Sequence, residues 1–204
     1  MSKTILFSVL TMGLAVSAGA TTVTLGAAAP AGSTAVTFGP TLAATSPGVW
    51  TGTSGTGTSN TSVANAYLDP LPGAGYYAYT EQGSTITATF AGGITSFDLL
   101  WGSPDAVNTI TFSGPGGSAS YSPGSGLLAG LTPTDNNAGT MMVLFTATPG
   151  TDWTSVSFTS GINSFEFGQV AIVAAASPEP ASIALLAGGF LAIGAGALRK
   201  KRKA

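Results

Sequence analysis

The middle of this sequence predicts an all-β fold, an antiparallel β-sandwich of the jelly-roll kind, and three observations carry that expectation. Residues 84–91 alternate, with Ile86, Ala88 and Phe90 on one face and Thr85, Thr87 and Thr89 on the other, as a half-buried antiparallel strand requires. Residues 108–113 repeat the pattern, setting Ile110 and Phe112 against Thr109 and Thr111. Gly, Pro and Asn clusters separate such runs, and no stretch between 21 and 176 shows the 3.6-residue apolar period of an amphipathic helix.

Taken in order, residues 21–65 are dominated by Thr, Ser, Gly and Ala, which propagate helices poorly. One short strand is expected there, at 35–38. The run TGTSGTGTSN at 51–60 is polar and of low complexity, and reads as a long flexible loop. Tyr76, Tyr77 and Tyr79 mark a strand over 76–80, and Glu81-Gln82-Gly83 offers a turn before the strand at 84–91. Gly92-Gly93 is expected to turn the chain into a strand over 95–101, and Gly114-Pro115-Gly116-Gly117 closes the strand at 108–113. Strands over 119–122, 140–147, 154–159 and 164–174 complete the set.

Both ends have a different character. Lys3, an apolar run from Ile5 to Val16 and the small residues Ala18-Gly19-Ala20 form the three parts of a secretory signal peptide. Cleavage after Ala20 is expected, leaving Thr21 first. At the other end stand Ser177-Pro178-Glu179-Pro180, an uncharged stretch over 181–198, and the cluster Arg199-Lys200-Lys201-Arg202-Lys203. Eighteen helical residues span roughly 27 Å, enough for a thin hydrocarbon core, and basic clusters stay cytoplasmic. Two prolines hold Glu179 in an extended segment outside that helix, a shape suited to a protease cleft. Within it, Gly188, Ala192 and Gly196 form a small-residue stripe of the kind that admits a second helix.

In its order and spacing, the segment 177–203 resembles the PEP-CTERM sorting signal of bacterial surface proteins, with Ser177 where Val is common. The resemblance implies processing by an exosortase-type membrane protease at Pro178, Glu179 and Pro180, after delivery by the secretion machinery. It also implies passage through an inner-membrane intermediate, with the membrane crossed at 181–198, to the cell surface, outer envelope or extracellular matrix. A role in biofilm or exopolysaccharide organisation follows from it. Residues 97–112, including Trp101, Asp105 and Asn108, and residues 158–170 resemble segments common in the same family. Where relatives carry Asp-Asn after the second aromatic strand, this chain has Gly168-Gln169. The expected organisation is therefore a signal peptide (1–20), a β-sandwich domain (21–176) and a sorting tail (177–203).

Charge then narrows the chemistry. All six basic residues (Lys3 and 199–203) lie in the two end segments, whereas Glu179 alone of the eight acids does. The domain is left with Asp69, Glu81, Asp98, Asp105, Asp135, Asp152 and Glu166 and a formal charge of −7. Without cations it cannot neutralise phosphates, so nucleic acid is excluded as a partner. The chain has no His and no Cys, so imidazole bases, thiolates, His/Cys zinc sites and disulfides are all ruled out. A carboxylate glycosidase is a remote third reading, and it needs two carboxyl groups about 5 to 9.5 Å apart. Asp69 before Pro70, Asp105 after Pro104 and Asp135 before Asn136-Asn137 read instead as solvated turn residues. No enzyme activity, cofactor or metal is expected. Asp98, Asp105, Asp152 and Glu166 are the candidate calcium oxygens, but no Asp-rich loop gathers them.

The expected function is a structural surface or matrix protein. The alternative is a displayed carbohydrate-binding module, for which Trp50, Tyr76, Tyr77, Tyr79, Trp101, Tyr121 and Trp153 are candidate stacking residues. Trp101 with Asp105 and Asn108 forms the favoured site for a polysaccharide, although aromatics of a sandwich also fill its core. The many Ser and Thr residues solvate a sheet face or, in a second reading, accept O-linked sugars.

Overall fold

The computed structural model describes residues 22–42, 47–61, 70, 75–131, 140–162 and 164–176. The expected signal peptide, the sorting motif, the span 181–198 and the basic cluster lie outside them, as do Asp69 and Asp135. No helix among the described residues is long and apolar enough to cross a membrane.

The described chain is all-β and its strand pairing is antiparallel throughout, apart from one isolated parallel bridge between Gln82 and Ser160. Its strands are β1 (Thr22–Leu25), β2 (Thr34–Val36), β3 (Val49–Gly52), β4 (Thr56–Ser59), β5 (Tyr77–Thr80), β6 (Thr85–Gly102), β7 (Asn108–Gly114), β8 (Gly117–Tyr121), β9 (Thr140–Thr146), β10 (Trp153–Ser160) and β11 (Phe165–Ala174). A single 3-10 turn at Gly126–Leu128 interrupts them.

The long strand β6 belongs to two limbs of this sheet. Its first half pairs with β3 on one side and β10 on the other, and β10 continues to β7 and β8. Its second half lies between β9, which carries β1, and β11, which carries β5 and β2 along its other edge. Gly92-Gly93, expected to reverse the chain, instead lets it bend and carry on. Residues 90–93 stand opposite the single residue Thr154 where the pairing jumps from Thr89–Ser155 to Ile94–Trp153, and Gly93 takes φ +73° there. A side chain is strained in that left-handed conformation and glycine is not.

The limbs meet through aromatic rings in a sandwich-like core. Phe158 of β10 lies 4.0 Å, ring centre to ring centre, from Phe167 of β11, stacked at 14°. Phe97 of β6 meets Phe112 of β7 at 5.8 Å, edge to face, and Phe112 meets Phe145 of β9 at 4.8 Å. Each fully buried Phe side chain contributes about 1.5–3 kcal/mol by leaving water, and ring pairs in these geometries add to that. In the absence of disulfides this packing is what closes the two limbs on each other.

Two further expectations are corrected by the pairing. The run 51–60 is not a free loop: β3 and β4 occupy most of it, because Thr51 pairs with Thr87 and Thr58 with Ala78. Between them Thr53 donates its N–H to the Thr85 carbonyl at 3.0 Å, and the Thr56 hydroxyl donates to the Thr53 carbonyl at 2.7 Å. Tertiary pairing overrides a composition that carries no apolar alternation of its own. The second is β1, in a region where the sequence shows no strand, which is fixed against β9 from Thr22–Thr146 to Leu25–Val143.

One row of the register runs from β1 to β11. Thr22 pairs with Thr146, Thr146 with Ser96, and Ser96 with Val173. The first residue of β1 and the penultimate residue of β11 thus stand at the same end of one limb, three strand spacings or about 14 Å apart.

Candidate functional site

Strand alternation gives each limb an outer face, and the two differ in chemistry. On the limb of β3, β6, β10, β7 and β8 the inward rows are Trp50–Ala88–Val156–Phe112–Ala119 and Gly52–Ile86–Phe158–Ile110–Tyr121. The outward rows are almost wholly hydroxyls. Thr51, Thr87, Ser157, Thr111 and Ser120 form one, and Thr89, Ser155, Ser113 and Ser118 form the next, with Val49 at its edge. Thr85, Thr159 and Thr109 form a third, extended by Ser122. None of these residues is buried. At the β7–β8 edge the hydroxyls pair across the strands, Thr109 with Ser122 at 3.0 Å, Thr111 with Ser120 at 2.8 Å and Ser113 with Ser118 at 2.7 Å. The face carries no charge, and its oxygens repeat at about 4.8 Å across strands and about 6.7 Å along them.

The other limb carries its acids on the outer side. Asp98 lies between the inward residues Phe97 and Leu99, and its register neighbours are Leu144 and Ala171. It is fully buried, and neither carboxyl oxygen has a hydrogen-bond partner of ordinary geometry among the described residues, the Leu99 backbone N–H making only a weaker contact. The hydroxyl of Ser96, two residues earlier on the same face, is also buried and has no hydrogen-bond partner among the described residues. Burial pushes the Asp98 carboxyl up to about 6, and the Leu99 backbone N–H offsets only part of that. Glu166, between Phe165 and Phe167, is also buried but is well held. The Ser103 hydroxyl donates to Oε2 at 2.9 Å and the Ser164 hydroxyl donates to Oε1. Gly102 opposite makes this possible, since a Cβ there would stand 3.2 Å from that of Glu166 and 3.0 Å from that of Pro70. Ser103 itself takes φ +34°, a strained conformation for a non-glycine residue.

The expected carbohydrate site does not assemble. Trp101 is 0 % exposed, an inward residue of β6 stacked on Phe165 at 4.4 Å, so no sugar ring reaches its face. Asn108 is likewise buried. Its side-chain oxygen lies 2.9 Å from the Ser160 hydroxyl, which also reaches the Ile162 carbonyl at 2.6 Å. One hydroxyl proton cannot serve two acceptors, so the consistent arrangement turns the Asn108 amide to donate to Ser160 while Ser160 donates to Ile162. Only Asp105 is partly exposed, and its carbonyl accepts the Asn108 backbone N–H at 3.0 Å, closing a turn. Trp50, Tyr77 and Trp153 are core residues too, which leaves Tyr76, Tyr79 and Tyr121 as the partly exposed aromatics among the candidates. The calcium oxygens do not gather either: the described residues hold no group of three or more acids placed to share a metal ion.

A groove of about 350 Å³ does exist, where β11 is left unpaired between β5 and β2. Tyr76, Gln169, Thr37, Ala35 and Ala171 line it, over Val36. Gln169 sits on the β11 bulge at φ +44° and is exposed. The sequence signal for this site was slight: Gly168-Gln169 stands between the aromatic Phe167 and the apolar run 170–174.

No family model and no curated protein matches the chain. Among solved structures, one titled "Peptidoglycan O-acetylesterase in action, 5 min" aligns with 62 % of this chain at 20 % identity and a TM-score of 0.28. The chain spans 28 % of that protein's length. A likeness at this level carries no argument about fold or activity.

Proposed function

We propose that the chain is an exported surface or extracellular-matrix protein, sorted through its PEP-CTERM-like tail by an exosortase-type membrane protease and associated with exopolysaccharide. The observation that carries the reading is the uncharged hydroxyl face on β3, β6, β10, β7 and β8, in a domain that has no basic residue at all. Such a face meets neutral, hydroxylated polymers by hydrogen bonds and offers nothing to a polyanion. In finer terms the reading is a sandwich flanked by a signal helix and a membrane helix, without enzymatic activity.

Intact mass of the protein recovered from the cell surface tests this. The expected species begins at Thr21 and has lost the segment after Pro180. Full-length chain with Arg199–Lys203 intact, found only in the cytosol, would overturn the proposal. Sugar attached to the hydroxyl face would appear in the same measurement as added hexose mass.

The second reading is a displayed carbohydrate-binding module. The groove beside Tyr76 favours it, whereas Trp101→Ala would report on core packing and not on sugar binding.

A further inference from the structure

We infer that the groove between β2, the start of β5 and the bulge of β11 is a subsite for a neutral pyranose sugar. This rests on the carbohydrate-associated reading of the chain and gives it a location. Tyr76 contributes aromatic surface from the groove wall: it is partly exposed, and its backbone bridges to Phe38 next to β2. Gln169 lines the same groove from the β11 bulge and is exposed, and its amide has both an acceptor and donors to offer. Thr37 also lines the groove.

Three features fit a sugar better than other small ligands. A volume of about 350 Å³ suits one or two hexose rings and not a long lipid chain. An aromatic surface beside an exposed amide matches the apolar C–H face and the hydroxyl edge of a pyranose. The groove has no charged residue and belongs to a domain without cations, so an acidic saccharide would find no counter-charge and would be repelled by the seven acids. The backbone gives an independent reason. Gln169 holds φ +44°, a left-handed conformation that strains a non-glycine residue. Glycine would relieve that strain and would remove the amide from the rim.

The test is titration of the full chain, in micelles of a detergent without a sugar headgroup, with cellohexaose, mannohexaose and an oligogalacturonate of equal length. Saturation-transfer NMR reads the contact and calorimetry the affinity. At least one neutral oligosaccharide is expected to bind and the galacturonate is not. Tyr76→Ala should weaken binding about tenfold or more and Tyr76→Phe should retain it. Gln169→Gly should weaken binding several-fold while the unfolding temperature holds or rises, which separates a lost contact from a damaged fold. Failure of every neutral sugar to bind, or equal binding by wild type, Tyr76→Ala and Gln169→Gly, overturns the proposal. Surface delivery of Tyr76→Ala, read from its intact mass, should match wild type. A chain that reaches the surface and binds no sugar would refute the groove alone, whereas one that never leaves the cytosol would refute the sorting reading.

Discussion

The outer faces of the two limbs solve the same problem in opposite ways. One covers its strands with Ser and Thr, none of them buried, which pair with each other at the β7–β8 edge. The other carries Asp98, Ser96 and Glu166, all buried, with Asp98 and Ser96 lacking a hydrogen bond of ordinary geometry among the described residues. Hydroxyls in water lose little when a neighbour changes, whereas a carboxyl group out of water depends on every contact it keeps. One face is therefore tolerant and the other is poised. The poised face lies on the limb that begins with β1 and ends with β11, the strands nearest in sequence to the two expected processing sites.

The sharpest way to break the contrast is Glu166→Ala. Removing the carboxyl leaves the buried Ser103 and Ser164 hydroxyls without their acceptor and opens a void beside Gly102. A loss of about 3 kcal/mol in denaturant unfolding is expected, and a loss below about 0.5 kcal/mol would mean that Glu166 is no anchor. Next comes Asp98. Its folded-state value of about 6 stands above the ordinary 3.8, so the folded state holds its proton longer than the unfolded chain. The Asp98 contribution to stability is then fully present below about pH 4, falls as pH rises toward 6 and levels off above, by at most about 3 kcal/mol at about 1.4 kcal/mol per pKa unit. Asp98→Asn should flatten that part of the profile and raise stability at neutral pH, as chemical denaturation from pH 4 to 8 will show. The smallest effect belongs to the hydroxyl face. Thr87→Val and Ser157→Val should each shift stability by no more than about 0.5 kcal/mol. A cost above about 1.5 kcal/mol for either would show that the hydroxyl rows hold the limb together.

The contrast also marks how much of the molecule is legible in its sequence. The hydroxyl limb was legible because Ile86-Thr87-Ala88-Thr89-Phe90 and Ile110-Thr111-Phe112 state their two faces openly. The acidic limb carried a similar sign, since Asp98 and Glu166 each stand between apolar residues that point inward. That sign places an acid on the outer side, but it cannot say that the outer side is buried. The burial of Trp101 was hidden for a related reason: a tryptophan on a strand is core or platform according to what lies against its ring, and here Phe165 of the adjacent strand β11 stacks on it. At Gly92-Gly93 local turn chemistry competed with pairing on both flanks of β6, and pairing won. Along 49–59 the sequence offered no alternation, so β3 and β4 exist only because β6 and β5 were there to receive them.

The shared row of Thr22, Thr146, Ser96 and Val173 has a mechanical consequence. If the domain is held by its C-terminal end, tension enters along the axis of β11, the strand that pairs with β6, β5 and β2. Pulled lengthwise, those ladders resist in shear, many hydrogen bonds yielding together, where a peripheral strand would peel away one bond at a time. The point of attachment would then coincide with the part of the sheet best able to bear a load.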